Sequence, residues 1–318
     1  MKRILGINTS HNVSFAYFED DILKEYYEED RFNKIKNFET LDPFYHDSYK
    51  YKALDKFKNI TFDLVVFVSF DRGFILIEKD FIESYLKQIK YKELKFYFRE
   101  HHIFHALSGF YFSKYDEAIG VVCDGGGEKL SNMDIKIDSM SNFNALESIF
   151  YVNKKNIKAL YKHHSSGRYN FLELPFSEKN IKINNIDYKV SNNICGGLKY
   201  LKYREEAGFK NNEEGQLMGI AAYKNTDTNL DKNVLELAHK AQEETLQERI
   251  KLIEKAMTYS DCKNIILSGG YHLNCSNNFK LVKYFPELNF FVDPIAHDGG
   301  TAVGAGFAAS NYAHNFKN

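Results

Sequence analysis

The sequence AIGVVCDGGGE at residues 118–128 joins an apolar run to an acidic, glycine-rich turn. A short apolar run rich in β-branched residues is typical of a strand that is buried on both faces. The glycines that follow let backbone N–H groups approach a phosphate, and Asp124 can hold a cation or a cation-bound water. The stretch therefore predicts a strand that ends in a phosphate-binding turn.

Similar units recur along the chain. Residues 3–7 form an apolar run before NTSHN at 8–12, and the turns SGG at 268–270 and DGG at 298–300 also follow apolar segments. One Gly-Gly pair after a strand is usually only a turn, because glycine supplies turn conformations routinely. Their repetition predicts a duplicated α/β fold, which we divide into subdomains 1–115 and 116–318.

Hydrophobic periodicity places the remaining elements. We predict further strands at residues 13–18, 22–27, 62–69, 264–267 and 290–292. We predict helices at residues 81–95, 105–112, 196–207, 213–223 and 229–259.

Composition and charge exclude several classes of protein. The 318 residues carry 42 basic and 43 acidic side chains, so the chain lacks the basic excess of a dedicated nucleic-acid binder. The four cysteines are scattered without CxxC spacing, as is typical of reduced thiols in a cytosolic protein. No run approaches the roughly 20 apolar residues of a transmembrane helix. We therefore predict a cytoplasmic location, with neither membrane nor nucleic acid as a partner.

The stretch EHHIFHA at residues 100–106 carries the strongest local signal for a metal. Positions i and i+4 share one face of a helix, so His101 and His105 can point at one ion. Neutral imidazoles suit zinc, iron and similar metals. Spacing alone fits a pair of surface histidines equally well, but the aspartates that open two of the glycine turns favour a cation beside a phosphate.

His11 follows the first predicted strand. A histidine at a strand end in a phosphate-binding fold can act as a general base, because its ordinary pKa lies near neutrality. The alternative is a hydrogen-bonded loop histidine. We predict structural roles for the histidines that lack such a context: His163, His164, His272 and His297.

Seven stretches resemble, in the same order, the NodU/CmcH O-carbamoyltransferases, which are relatives of the ATPase that makes threonylcarbamoyladenosine in tRNA. They are ILGI (4–7) with His11, YEEDRFNKIK (27–36), HHIFHA (101–106), DGGGE (124–128), EGQLMGIA (214–221), SGGYHLNC (268–275) and DGGTAVGA (298–305). They extend over almost the whole chain.

The resemblance implies a fold of the sugar-kinase/actin/chaperone ATPase type, with two ribonuclease-H-like halves and nucleotide in the central cleft. It implies that His11 deprotonates the acceptor. The implied ligands of Fe²⁺, or of Zn²⁺ or Mg²⁺ in its place, are His101, His105, Asp124 and Asp298. The implied nucleotide-binding residues are Gly125, Gly126, Gly127, Glu214, Gly269, Gly270 and Asn274.

The implied reaction transfers a carbamoyl group from carbamoyl-adenylate, which is made from ATP, to a hydroxyl of a sugar, nucleoside or natural product. We expect residues 143–195 to build the acceptor pocket, and a homodimer is compatible with the sequence. Two alternatives stay open, namely a threonylcarbamoyl-type tRNA modifier and a non-catalytic ATP- and metal-binding subunit of a complex.

The sequence departs from the family in three places. Family members usually continue into a YrdC-like domain that makes carbamoyl-adenylate, and no such domain fits within these 318 residues. We therefore expect the donor to come from a separate YrdC-like protein or from the cell's own carbamoylating system. Gln216 stands where the family often has lysine, and Asn37 stands where its early motif tends to end in histidine.

Overall fold

The computed structural model describes residues 1–39, 50–68, 86–97, 100–130, 143–166, 178–224, 226 and 229–312. Its first sheet has the strand order β3-β2-β1-β4-β5. Strand β1 pairs antiparallel with β2 and parallel with β4, while β2 pairs antiparallel with β3 and β4 parallel with β5. The strands are β1 (Arg3–Asn8), β2 (Ser14–Glu19), β3 (Ile22–Glu28), β4 (Thr61–Val68) and β5 (Lys90–Tyr97).

The second sheet has the order β12-β11-β6-β7-β8-β10-β9. Its strands are β6 (Glu117–Cys123), β7 (Asn144–Asn153), β8 (Asn156–Ser165), β9 (Glu178–Ile183), β10 (Ile186–Ser191), β11 (Asn264–Ser268) and β12 (Asn289–Val292). Read from β8 to β12, this sheet repeats the order and the strand directions of the first. The repeated topology confirms the predicted duplication, and β10 and β9 extend the second copy at its β8 edge.

Seven α-helices are described, with short 3₁₀ turns at Lys52–Phe57, Leu86–Gln88, Ala221–Tyr223 and Gly270–Leu273. The α-helices are α1 (Asp30–Asn33), α2 (His101–Ser113), α3 (Gly196–Glu206), α4 (Glu214–Ile220), α5 (Lys232–Met257), α6 (Cys275–Tyr284) and α7 (Gly300–Asn311). None of these described helices is long and apolar enough to cross a membrane.

Helices α2 and α7 pack against each other and connect the two sheets. Helix α7 contacts β1, β2 and β4, whereas α2 contacts β6, β7 and β11. A Cβ atom at Gly304 would lie 1.9 Å from the carbonyl oxygen of Phe104, so this close approach requires glycine. Each helix therefore packs on the sheet of the other half, and the subdomain boundary after residue 115 stays a prediction.

One predicted helix is wrong. Residues 86–88 form a 3₁₀ turn and residues 90–97 form β5, while residues 81–85 of the same prediction lie outside the described part of the chain. Strand β5 pairs in parallel with all but one residue of β4, from Thr61 opposite Lys90 to Val68 opposite Tyr97. Pairing with a buried strand outweighs the weak helical preference of a lysine-rich segment.

Candidate metal centre and nucleotide cavity

Four side chains from distant parts of the chain converge at the first turns of α2 and α7. Their ligand atoms all lie within 4.8 Å of one another, and the side chains belong to His101, His105, Asp124 and Asp298. The Nε2 atoms of His101 and His105 are 3.2 Å apart. His101 Nε2 lies 3.3 Å from Asp124 Oδ2 and 3.6 Å from Asp298 Oδ1. These are the four residues that the sequence predicts as metal ligands, and we refer to them as the αα cluster.

Local structure explains why these side chains meet. His101 and His105 are one helical turn apart on α2, and both are fully buried. Asp124 directly follows β6, and Asp298 lies two residues before α7. The carboxylates are also held from outside the cluster. The Ser10 hydroxyl donates to Asp298 Oδ2 at 2.9 Å, and the Gly270 N–H donates to Asp124 Oδ1 at 3.2 Å.

The electrostatics of the αα cluster require a buried positive charge. Burial lowers the pKa of His101, yet the carboxylates of Asp298 and Asp124 outweigh burial and raise this pKa to about 10. Burial raises the pKa of Asp298, but His101 outweighs it and holds this pKa well below its ordinary value. Without another cation, the two carboxylates stay ionised because an imidazolium lies beside them.

The donor set fits a divalent cation in place of that proton. Two nitrogen ligands of a tetrahedral zinc ion, each at about 2.0–2.1 Å, are separated by about 3.3 Å. The 3.2 Å between the two Nε2 atoms agrees with this separation. Mixed imidazole and carboxylate ligands suit Fe²⁺ and Zn²⁺. The hydrogen bonds from Ser10 and Gly270 supply the outer contacts that orient metal-binding carboxylates.

A cavity of about 980 Å³ opens above the two aspartates. It is bordered by the turns after β1 and β6, by α3 and α4, and by the 3₁₀ turn at Gly270–Leu273. It is large enough for a nucleotide-sized ligand. The predicted site residues that line it are His11, Asp124, Gly125, Gly126, Glu214, Gly270, Asn274 and Asp298.

Two predicted nucleotide-binding glycines are not among the described lining residues of this cavity. A Cβ atom at Gly127 would lie 2.5 Å from His102 Nε2, and one at Gly269 would lie 2.3 Å from the Cys123 carbonyl oxygen. Gly269 also has a φ of 92°, in the left-handed region that favours glycine. Both glycines thus allow other parts of the chain to pack closely against their backbone. The sequence alone does not distinguish this role from close approach to a phosphate.

His11 is oriented by two asparagines. Its Nδ1 lies 2.6 Å from Asn12 Oδ1, and the Asn12 Nδ2 donates to Asn37 Oδ1 at 3.1 Å. Since the Asn12 amide group directs its oxygen at the imidazole, His11 Nδ1 carries the proton and donates it. The other nitrogen, Nε2, is then the one that can accept a proton from a hydroxyl in the cavity.

Comparison with known proteins assigns the family. Residues 44–307 match the family model described as "Carbamoyltransferase N-terminus". The chain belongs to this family. An uncharacterized protein of Methanocaldococcus jannaschii is 27% identical over 96% of this chain. This chain spans 56–57% of the length of the curated relatives that it matches.

Two solved structures show the fold of this family member. A full-length HypF in its phosphate- and nucleotide-bound form aligns with a TM-score of 0.56 and 12% identity, over 97% of this chain and 55% of that one. A ROK family protein from Streptococcus pneumoniae in complex with sucrose aligns with a TM-score of 0.52 and 13% identity, over 99% of this chain and 100% of that one. The predicted fold of the sugar-kinase/actin/chaperone ATPase type is confirmed.

Some residues that border the cavity were missed by reasoning from the sequence. Arg204 of α3 is 2% exposed, lines the cavity and donates to Glu214 Oε1 at 2.6 Å. It lies in KYLKYREE, which carries no motif that would single it out. Residues 143–195, the predicted acceptor region, supply none of the described lining residues of this cavity, and their role in acceptor binding stays a prediction.

Proposed function

We propose that this protein is an O-carbamoyltransferase of the NodU/CmcH type, which moves a carbamoyl group from carbamoyl-adenylate to a hydroxyl of a sugar, nucleoside or natural product. One observation carries the proposal. One cavity of nucleotide size is lined by an oriented histidine, by glycine turns and by the two aspartates of the αα cluster. Membership of the carbamoyltransferase N-terminus family supports the choice of the transferred group.

The donor's adenylate half fits the glycine-rich side of the cavity. Backbone N–H groups at Gly125 and Gly126 can bind phosphate oxygens where side chains would block the approach. Glu214 can accept hydrogen bonds from ribose hydroxyls. The buried Arg204 guanidinium holds the Glu214 carboxylate in place at 2.6 Å.

The αα cluster would hold Fe²⁺, Zn²⁺ or Mg²⁺ at the base of the cavity. When bound there, such an ion polarises an oxygen of the donor and stabilises negative charge that develops on it. Asp124 and Asp298 both line the cavity and belong to the cluster, so they join the ion to the donor site.

His11 performs the proton transfer in the proposed reaction. Its Nε2 accepts the proton of the acceptor hydroxyl as that oxygen attacks the carbamoyl carbon. A new carbon–oxygen bond forms, the bond from the carbamoyl carbon to the phosphate oxygen breaks, and AMP leaves with the electron pair. The proton on His11 returns to solvent, and the Asn12 carbonyl keeps Nδ1 protonated throughout.

We propose that a separate YrdC-like protein forms the carbamoyl-adenylate from ATP and carbamoyl phosphate. The curated relatives extend well beyond the segment that matches this chain, which leaves room there for such a domain. The small-molecule acceptor would then enter the cavity beside His11.

Reconstitution tests the proposed function. Purified protein, a YrdC-like protein, ATP and carbamoyl phosphate are incubated with pools of polyols, aminoglycosides and nucleosides, and carbamoylated products are sought by mass spectrometry. We expect AMP release that depends on both this protein and an acceptor. Calorimetric titration with AMP provides an independent test, in which Glu214→Ala should weaken binding. Absence of acceptor-dependent AMP release would contradict the proposal, and nucleotide binding that persists in that case would favour the non-catalytic ATP-binding subunit.

A further inference from the structure

A second buried group of metal-ligating side chains lies outside the nucleotide cavity. Glu147 of β7, His163 of β8 and Cys195 before α3 offer ligand atoms within 4.8 Å of one another. All three are buried, and all three line a second cavity of about 1020 Å³. No described residue lines both cavities. We refer to these three residues as the thiol cluster.

The geometry of the thiol cluster distinguishes a metal site from a nucleophilic triad. Cys195 Sγ and Glu147 Oε2 approach the same imidazole nitrogen, His163 Nδ1, at 3.3 and 3.2 Å. In a triad, the nucleophile and the carboxylate contact opposite nitrogens of the histidine. Here the three ligand atoms lie on the same side of the imidazole, within 4.8 Å of one another. A zinc ion with Zn–S of about 2.3 Å and Zn–N of about 2.0 Å would separate the two ligand atoms by about 3.5 Å, close to what is seen.

The ring nitrogen of His163 that faces away from Cys195 and Glu147 has a hydrogen-bond partner, as is usual for metal-binding histidines. His163 Nε2 lies 2.9 Å from the Ser191 hydroxyl oxygen. With an ion at Nδ1, the proton of His163 would lie on Nε2 and donate to Ser191, which orients the Nδ1 lone pair toward the ion.

Arg249 contacts one oxygen of the Glu147 carboxylate and leaves the other directed at the thiol cluster. The buried guanidinium contacts Glu147 Oε1 and Cys123 Sγ, while the other carboxylate oxygen, Oε2, faces His163. Glu147 also pairs with Cys123 in the ladder between β6 and β7, one residue before Asp124. Glu147 therefore pairs with the residue that immediately precedes Asp124, a member of the αα cluster.

We propose that Cys195, His163 and Glu147 form a second metal site, which binds Zn²⁺ with its fourth coordination position facing the second cavity. A thiolate with imidazole and carboxylate ligands selects zinc or a similarly thiophilic ion, and three protein ligands leave one position open. On binding, the Cys195 S–H bond breaks, the proton goes to solvent, and the sulfur pairs with the ion. This inference does not depend on the proposed carbamoyl transfer.

Cobalt substitution tests the second site. The full chain carrying His101→Ala and His105→Ala, which lacks the αα ligands, is freed of metal and titrated with Co²⁺. We expect one equivalent to bind with a thiolate-to-cobalt charge-transfer band. Adding Cys195→Ser should abolish the band, whereas adding Cys262→Ser, which removes a cysteine outside both clusters, should retain it. Absence of the band in the parent, or its survival with Cys195→Ser, would overturn the proposal.

Two further measurements guard against misfolding of the Cys195 variant. Ser191→Ala should bind Zn²⁺ about 10–100-fold more weakly in competition with a chelator, because it loses only the group that orients His163. In the protein without substitutions, Zn²⁺ should protect Cys195 from alkylation while the exposed Cys275 continues to react. Unchanged zinc affinity in Ser191→Ala, or equal alkylation of Cys195 with and without Zn²⁺, would contradict the site.

Discussion

The two buried histidine clusters differ in how their carboxylates are neutralised. In the αα cluster, Asp124 and Asp298 face His101 and His105, and the pKa of His101 rises to about 10 against the effect of burial. In the thiol cluster, Arg249 contacts Glu147, and the pKa of His163 falls to about 4 because of burial.

This difference predicts different reasons for binding a metal. Two ionised carboxylates around two histidines attract a divalent cation by charge, since buried like charges need a partner. The thiol cluster already contains an internal ion pair, so its affinity depends on forming a zinc–thiolate bond and on releasing a proton. We therefore expect the nearest internal cation to influence metal affinity as much as the set of ligand residues does.

The largest expected effect comes from removing the histidines of the αα cluster. His101→Ala with His105→Ala should lose the metal at this site and reduce carbamoyl transfer by about 10³-fold, because several kcal/mol of charge stabilisation disappear. Elemental analysis and the reconstituted assay check both outcomes. His239→Ala, a histidine of α5 outside both clusters, is the matched control. Full metal content at the αα cluster in the double variant would contradict the assignment.

Removing the proposed base should separate chemistry from binding. His11→Ala should lower the transfer rate by about 10²–10⁴-fold, as expected when a general base is lost. AMP affinity should stay unchanged, because the proposed role of His11 is to accept a proton from the acceptor hydroxyl and not to bind the phosphate. Calorimetry and the transfer assay are compared on the same preparation. Loss of AMP binding in this variant would show that His11 is structural.

Arg249, the cation beside the thiol cluster, should stabilise the folded protein. Arg249 is 1% exposed and Glu147 is 6% exposed, so Arg249→Met leaves a buried carboxylate without its ion-pair partner. We expect a loss of about 3–5 kcal/mol in the free energy of unfolding of the metal-free protein, measured by urea denaturation. Adding Glu147→Gln should recover part of the loss. A change below about 1 kcal/mol would mean that Arg249 does not neutralise this cluster.

The smallest expected effect lies in the asparagines that orient His11. Asn37→Ala removes the acceptor for Asn12 Nδ2 and should reduce transfer about threefold to tenfold, the equivalent of one hydrogen bond. Asn37 has a φ of 55°, which aspartate tolerates and alanine disfavours. Asn37→Asp keeps the acceptor and is therefore the control. Equal activity in both variants would indicate that the Asn12 amide needs no support.

Two features of the sequence predict the αα cluster. His101 and His105 have helical spacing, and Asp124 and Asp298 each open a glycine turn at the end of a strand or at the start of a helix. Their convergence, however, followed only from the family resemblance. Spacing does not reveal that α2 and α7 pack closely enough at Gly304 to bring their first turns together.

The rest of the molecule shows where sequence reasoning stops. The residues of the thiol cluster follow no sequence pattern. Glu147 and His163 are separated by 16 in sequence, and His163 and Cys195 by 32, and only the β7–β8 ladder and the start of α3 bring them close together. Residues 90–97 form an edge strand because β4 offers it a partner. Gly127 and Gly269 lie in turns with a phosphate-loop pattern, but each packs closely against other atoms of the protein.

We propose that the αα cluster binds a metal ion at the base of the nucleotide cavity. Anomalous diffraction from crystals of the metal-loaded protein, recorded on both sides of the metal's absorption edge, tests it most directly. We predict an anomalous peak about 2.0–2.3 Å from the Nε2 atoms of His101 and His105 and within bonding distance of Asp124 and Asp298. A crystal that contains stoichiometric metal but shows no peak among these four side chains would contradict the account.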